Sequence, residues 1–135
     1  MREEIEKLAR HRMSRAREAF GEGECLLAQC APIGAVNRFY YCAFYAARSL
    51  LATRGVDSAR HSGVISLFQE HFVRTGMLPL DVAKALPRAF EKRQKSDYGD
   101  FATVSLDEAR RVADEVRVFF DECRTVLDKI IAEES

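Results

Sequence analysis

Apolar side chains recur every three or four residues along most of the chain, which is the spacing of an α-helix. No segment alternates apolar and polar residues as a half-buried strand does. The three prolines and seven glycines fall mostly between these helical patterns. The sequence therefore predicts an all-α protein with helices over about residues 3–30, 35–53, 63–75, 79–98 and 105–130.

Length and composition limit how these helices are organised. A chain of 135 residues has the usual length of one domain, and a hydrophobic content of 47% is enough for a single core. We therefore expect one helical domain over residues 1–135, folded as an up-and-down bundle of four to five helices.

Three residues predict irregular helix geometry. Gly21 and Gly23 weaken the middle of the first helix, which we expect to be frayed or bent. Pro87 lies inside the fourth pattern and predicts a local kink. The last helix has a clear start signal, because Ser105 and Glu108 have the spacing of a capping box.

The second predicted helix has an apolar arc wider than that of its neighbours. Its two adjacent apolar stripes consist of Phe39, Ala43, Ala46 and Leu50, and of Tyr40, Phe44, Ala47 and Leu51. An arc of this width indicates a helix that is covered on more than one side. In a small bundle the extra cover could come from a second subunit, so we expect a homodimer.

Charge is balanced overall but unevenly distributed. Lys plus Arg and Asp plus Glu number 21 each, which excludes a chain that is basic over its whole length. Residues 32–62 nevertheless carry a net charge of +3, all of it from arginine, whereas residues 102–135 carry −4. Arginine suits phosphate because its planar guanidinium can bind two oxygens at once. The alternative is that these arginines only flank a buried helix.

Two groups of residues could bind a ligand. Arg38, Tyr41 and Tyr45 share one sector of the second helix and could hold a phosphate with a base stacked nearby. Alternatively, the tyrosines are core residues whose hydroxyls reach the surface. Arg93 and Asp97 lie four residues apart and can form an ion pair, which could also be only a helix-end contact.

The other polar and aromatic residues suggest structural roles. We interpret Tyr40 as a core residue, and we expect Tyr98 and Phe101 to cover the core where the fourth helix ends. The spacing of His61 and His71 matches no common metal site, and the four cysteines form no C-x-x-C pair. We therefore expect no metal and no cofactor. We expect a cytoplasmic protein, because the cysteines are predicted to be free thiols and the sequence has no signal peptide. We expect no membrane association, because the sequence lacks a 20-residue apolar run.

Three segments together resemble a known family. They are the stretch from Asn37 to Arg48, the turn His61-Ser62-Gly63-Val64, and the helix end from Phe90 to Tyr98. In this order they are similar to the HEPN-domain proteins, and most of all to small stand-alone bacterial and archaeal ones of uncharacterised function with an R-x-x-x-D-Y motif.

The resemblance implies a bundle of four or five helices, usually a homodimer, with a nucleotide- or RNA-related role. It also implies a toxin–antitoxin context, often beside a minimal nucleotidyltransferase. Active HEPN ribonucleases resemble one another in an R-x(4–6)-H motif, whose residues let these enzymes cut RNA without a metal ion. Arg93 matches that arginine, but Tyr98 stands where the histidine is expected. A phenol has a pKa of about 10 and is a poor general base at neutral pH.

Three functional hypotheses follow. The first is a nucleotide- or RNA-binding protein in which Arg93 binds phosphate, Asp97 orients it, Tyr98 contacts the ligand, and Arg38 and Tyr41 complete the cleft. The second is a non-catalytic accessory subunit of a minimal nucleotidyltransferase. The third is a metal-independent ribonuclease toxin, in which His61 could replace the missing histidine. The alternative for His61 is a residue at a helix start that bonds only locally.

Overall fold

The structure, a computed structural model, describes residues 1–101 and 103–134, which form helices joined by short loops with no strand among them. The all-α prediction is confirmed. The helices are α1 (Glu3–Ala28), α2 (Pro32–Thr53), α3 (His61–Phe68), α4 (Leu80–Ala83), α5 (Ala85–Tyr98) and α6 (Leu106–Glu134). A π-helical turn over Gln69–Val73 extends α3.

Helices α1 and α2 form an antiparallel hairpin. Near one end the buried hydroxyl of Ser49 donates a hydrogen bond of 2.6 Å to the carbonyl of Ala9. Towards the other end Gly23 lies directly against the ring of Phe39. Helix α1 is one continuous element through both glycines, so the expected fraying there is wrong, whereas the expected bend stays a prediction. Gly23 does not interrupt the helix; its missing side chain leaves room for a ring of α2.

Helix α2 is the centre of the bundle. It packs against α1, α3, α5 and α6, and most of its residues are buried. Helices of the same chain therefore cover both of its apolar stripes, and the argument that the wide arc requires a second subunit is wrong. The homodimer itself stays a prediction.

The fourth predicted helix is divided in two. Helix α4 ends at Ala83, and α5 starts at Ala85 after a break at Lys84. Pro87 has no N–H to donate to the carbonyl of Ala83, which is the hydrogen bond that would continue α4 into α5. The helix is thus interrupted at Lys84, three residues before the proline itself, and the expected kink stays a prediction.

The last helix begins as its sequence predicts. The backbone N–H of Glu108 donates to the hydroxyl of Ser105 at 3.0 Å, which satisfies one free donor of the first turn. Helix α6 runs antiparallel to α5, because Lys92 pairs with Glu108 at 2.9 Å and Arg88 with Glu115 at 3.4 Å. Both ion pairs hold α5 against the start of α6, and so help to fix the part of α5 that faces α2.

None of the described helices has the length and apolar content needed to cross a membrane.

The four cysteines differ in environment. Cys42 and Cys123 are buried, and burial raises the pKa of both thiols. Cys25 and Cys30 are exposed near the end of α1.

Candidate functional site

Arg93 is the centre of an aromatic cluster where α5 crosses α2. Its guanidinium carbon lies 5.6 Å from the ring centre of Tyr40, 5.4 Å from that of Tyr41 and 5.9 Å from that of Tyr98. Contacts of this length are attractive cation–π interactions. Two of the rings come from α2 and the third from the last turn of α5, so the bundle itself assembles the cluster.

Asp97 fixes the orientation of Arg93. The Nε of Arg93 donates to Oδ2 of Asp97 at 2.8 Å, so the pair expected from the four-residue spacing is present. The side-chain amide of Asn37 donates to the same oxygen at 3.2 Å and ties the pair to α2. Neither terminal amino group of Arg93 has a hydrogen-bond partner within the described residues, and neither is fully buried. The two terminal amino groups of a fixed guanidinium, on a side chain that is 15% exposed, are therefore available to a ligand.

His61, the first residue of α3, joins this cluster from a different part of the chain. Its Nδ1 shares a hydrogen bond of 2.6 Å with the hydroxyl of Tyr40, and its ring stacks on Phe44 at 4.5 Å. The expectation that His61 bonds only locally is wrong, because Tyr40 lies on α2. Burial, together with the positive charges of Arg93 and Arg48, lowers the pKa of His61, so the neutral imidazole is favoured.

Tyr40 has a role that the sequence interpretation missed. It is fully buried, as expected of a core residue, but its hydroxyl holds His61 in place. Burial raises the pKa of this phenol, which therefore stays protonated. A tyrosine among apolar helix positions was the available signal, since a buried hydroxyl usually requires a hydrogen-bond partner.

Arg38 and Tyr41 also lie at the cluster. The Arg38 guanidinium carbon is 5.3 Å from the centre of the Tyr41 ring, so Tyr41 contacts both Arg38 and Arg93. Arg38 also pairs with Glu22 of α1 at 3.2 Å. Its Nε is buried without a hydrogen-bond partner in the part of the chain that the structure describes. The six candidate residues from the sequence are thus brought into one neighbourhood by α2, α3 and α5.

Tyr98 and Phe101 do not cover the core, and that prediction is wrong. The two residues are 72% and 96% exposed. Val36, Val104 and Ala109 form a small buried cluster that includes neither of them. Tyr98 consequently remains in solvent beside Arg93, at the edge of the site, and Phe101 is exposed three residues further on.

An arginine network fixes the loop that precedes His61. Asp57 accepts two hydrogen bonds from Arg48, at 3.1 and 2.6 Å, and one from Arg12 at 3.3 Å. The hydrogen bonds from Arg48 are the main reason that the pKa of Asp57 is lowered. Asp57 therefore stays ionised at neutral pH and connects α1, α2 and the loop from which His61 begins α3.

The site thus combines a fixed guanidinium, a neutral imidazole and several aromatic rings. Within the described ranges no three His, Cys, Asp or Glu side chains converge as metal ligands would. A guanidinium with unused donors can bind phosphate oxygens, and exposed rings can stack on a base. A neutral imidazole can also accept a proton.

Comparisons with known proteins identify relatives of the chain. A sequence model of the HEPN domain matches residues 9–126. A UPF0332 protein of Thermotoga maritima is 31% identical over 127 residues, which cover 94% of this chain and 96% of the relative. A UPF0332 protein of Archaeoglobus fulgidus is 36% identical over 67% of this chain and 71% of its own length.

A third relative has a name that refers to a function. The protein of Methanocaldococcus jannaschii named "Putative toxin MJ0142" is 29% identical over 93 residues, 69% of this chain and 63% of its own length. The HEPN match spans most of the chain, and the similarity to the Thermotoga protein extends over nearly its full length. The chain belongs to the HEPN domain family.

Proposed function

We propose that this HEPN-domain protein binds the phosphate of a nucleotide or an RNA at Arg93. The observation that carries the proposal is the state of the Arg93 guanidinium: Asp97 holds its Nε, and its terminal amino groups lack protein partners within the described residues. The exposed ring of Tyr98, 5.9 Å away, is in position to contact the base or sugar. Arg38 adds a second positive charge, 5.3 Å from the centre of the Tyr41 ring.

Replacing Arg93 with alanine tests this assignment. Hydrogen bonds to a charged group contribute about 1.5–3 kcal/mol, so Arg93→Ala should weaken binding of ATP and of a short RNA by about tenfold or more. Arg88→Ala is a matched control, because Arg88 lies on the same helix but pairs with Glu115 of α6. The affinity of both variants is measured by fluorescence anisotropy for RNA and by calorimetry for ATP. Circular dichroism verifies that both variants are folded. Binding by Arg93→Ala equal to that of the parent protein contradicts the proposal.

A ribonuclease is the second candidate, and the position of His61 favours it. In the tautomer whose Nδ1–H donates to the Tyr40 hydroxyl, the free Nε2 of His61 could accept the proton of a ribose 2′-hydroxyl as that oxygen attacks the adjacent phosphate. A 2′-O–P bond would form, the P–O5′ bond would break, and the leaving oxygen would take a proton from water. The hydroxide so formed would take the proton that the imidazole had accepted. The name of the Methanocaldococcus relative is compatible with a toxin of this kind.

The two candidate functions are separated by cleavage assays. A ribonuclease should convert labelled RNA to shorter products in the presence of a chelator, and His61→Ala should abolish that conversion while leaving RNA binding within a fewfold of the parent. Expression of the parent protein should then arrest growth, and expression of the variant should not. Intact RNA after prolonged incubation with the parent protein leaves binding as the function of the site.

The homodimer and the nucleotidyltransferase partner are proposals that rest on membership of the family. Light scattering tests the first, because the chain has a mass of 15.3 kDa and a dimer should give twice that value. Co-expression with a nucleotidyltransferase encoded next to this gene tests the second. Separate elution of the two proteins contradicts an accessory role.

A further inference from the structure

Arg15 of α1 lies on the ring of Tyr45, at the far end of the stripe that begins at Arg38. Its guanidinium carbon is 5.1 Å from the ring centre, and its Nη2 donates to the Tyr45 hydroxyl at 3.4 Å. None of the contacts described for Arg93 involves Arg15 or Tyr45. The arginine is supplied by another helix and has no evident part in holding the core, since Arg15 is exposed.

Tyr41 connects this contact to the Arg93 site. The rings of Tyr41 and Tyr45 are 5.7 Å apart, and both tyrosines are partly exposed. Arg38 and Arg93 contact one end of this two-ring row, and Arg15 contacts the other. We call these five residues, Arg15, Arg38, Tyr41, Tyr45 and Arg93, the arginine–tyrosine row.

The length of the row determines which ligand it fits. Tyr45 follows Arg38 by seven positions on α2, and a helix rises by about 10 Å over seven positions. A stacked nucleic-acid strand carries one phosphate for about every 3.4 Å along its axis. The row therefore spans about three nucleotide steps, whereas a mononucleotide would occupy only the Arg93 end.

We propose that the arginine–tyrosine row is an extended binding site for single-stranded RNA of about four nucleotides, with Arg15 as a second phosphate contact. Bases stack on tyrosine rings and on guanidinium planes without a requirement for a particular sequence. In duplex RNA the bases stack on each other and offer no free face to the row. The proposal rests on the proposed function, because it extends the phosphate site at Arg93 along α2.

The carboxylates near the row do not prevent RNA binding. Arg15 approaches Glu18 at 3.8 Å, and Arg38 pairs with Glu22 at 3.2 Å. The two carboxylate side chains are 67% and 59% exposed. Exposed ion pairs of this type contribute little to stability and are screened by salt. A phosphate can therefore replace either carboxylate at small cost, and both can rotate into solvent.

RNA length is the variable that tests the row. Affinities are measured for oligouridylates from the dinucleotide to the octanucleotide, and for an RNA duplex of the same length as the octanucleotide. The parent protein should bind more tightly with each added nucleotide up to about four and then little more tightly, and it should bind the duplex weakly. Arg15→Ala should weaken octanucleotide binding and leave dinucleotide binding unchanged.

Salt dependence gives a readout specific for a phosphate contact. For single strands the slope of log affinity against log salt changes by about 0.7 for each phosphate that the protein neutralises. Arg15→Ala should reduce the slope for the octanucleotide by about that amount. Tyr45→Leu should lower octanucleotide affinity about fivefold or more because it removes a stacking surface, with little change in slope. Arg17→Ala is the matched control, because Arg17 lies on α1 but lines the groove between α1 and α6.

The outcomes separate this inference from the proposed function. Equal affinity of the parent protein for all lengths, equal binding of duplex, or an unchanged salt slope in Arg15→Ala overturns the row. If Arg93→Ala still weakens binding of every length in that case, the phosphate site stands alone. If Arg93→Ala has no effect but Arg15→Ala does, RNA binds at the Tyr45 end alone, and both the Arg93 site and the row as defined are wrong.

Discussion

Gly21 and Gly23 provide a test of packing, because the same substitution should have opposite effects at the two positions. Both lie in the continuous helix α1. A Cβ atom built at Gly21 meets nothing within 4 Å. Alanine there should stabilise the protein by about 0.8–1 kcal/mol, which is the difference in helix propensity between the two residues. Gly21→Ala should therefore raise the melting temperature by about 3 °C.

Gly23→Ala should be destabilising. A Cβ atom at Gly23 lies 2.5, 2.7 and 2.9 Å from three ring carbons of Phe39, well inside the normal contact distance of about 3.5–4.0 Å. The Phe39 ring is fully buried and packs on Phe20 at 5.1 Å, so it cannot rotate away. Overpacking of this kind costs about 1–3 kcal/mol. At the upper end of that range, and after subtraction of the gain in helix propensity, the net loss is about 2 kcal/mol.

Urea unfolding followed by circular dichroism measures both free energies of unfolding. The two variants should differ by about 3 kcal/mol, with Gly21→Ala above the parent and Gly23→Ala below it. An equal gain in both variants would mean that helix propensity decides and that α2 does not approach α1 as closely as described. An equal loss in both would mean that α1 is not a regular helix at Gly21.

Two further predictions concern pH and the start of α6. The pKa of His61 is lowered from 6.5 in the folded state. As the pH falls below about 6.5, the unfolded chain therefore binds a proton at His61 more readily than the folded chain does. The free energy of unfolding decreases as a result. The melting temperature of the parent should fall more between pH 7.5 and pH 5.5 than that of His61→Gln, and equal decreases contradict the shifted pKa. Ser105→Ala removes the hydroxyl that accepts from the Glu108 N–H and should lower the free energy of unfolding in urea by about 1 kcal/mol; a variant as stable as the parent shows that the cap contributes nothing.

The helices could be predicted from the sequence because helix formation depends on neighbours three and four residues away. The break before α5 followed from Pro87 for the same local reason. The apolar arc of α2 correctly indicated a helix covered on several sides. Periodicity gives the width of the covered surface but does not show which molecule covers it. The argument from the wide arc to a dimer was wrong because helices of the same chain cover that surface.

The candidate site was predictable only within single helices. Arg93 and Asp97 are four residues apart, so their contact follows from helix geometry. Tyr40 and His61 are 21 residues apart, and their hydrogen bond depends on how α3 docks on α2. The exposure of Tyr98 could not be inferred from hydrophobicity, because periodicity does not show that Val104 of the following segment, rather than a tyrosine, packs with Val36 and Ala109.

The hydrogen bond between Asn37 and Asp97 joins residues that are 60 positions apart, so the Arg93 site forms only when α5 has docked on α2. An unfolded or partly folded chain therefore lacks the site, and a ligand that needs it binds the native state alone. Such a ligand at about one hundred times its dissociation constant adds about 2.7 kcal/mol to the free energy of unfolding. Thermal stability thus becomes a direct screen for the ligand, in which nucleotides and RNA fragments can be ranked by the increase in melting temperature that each one produces.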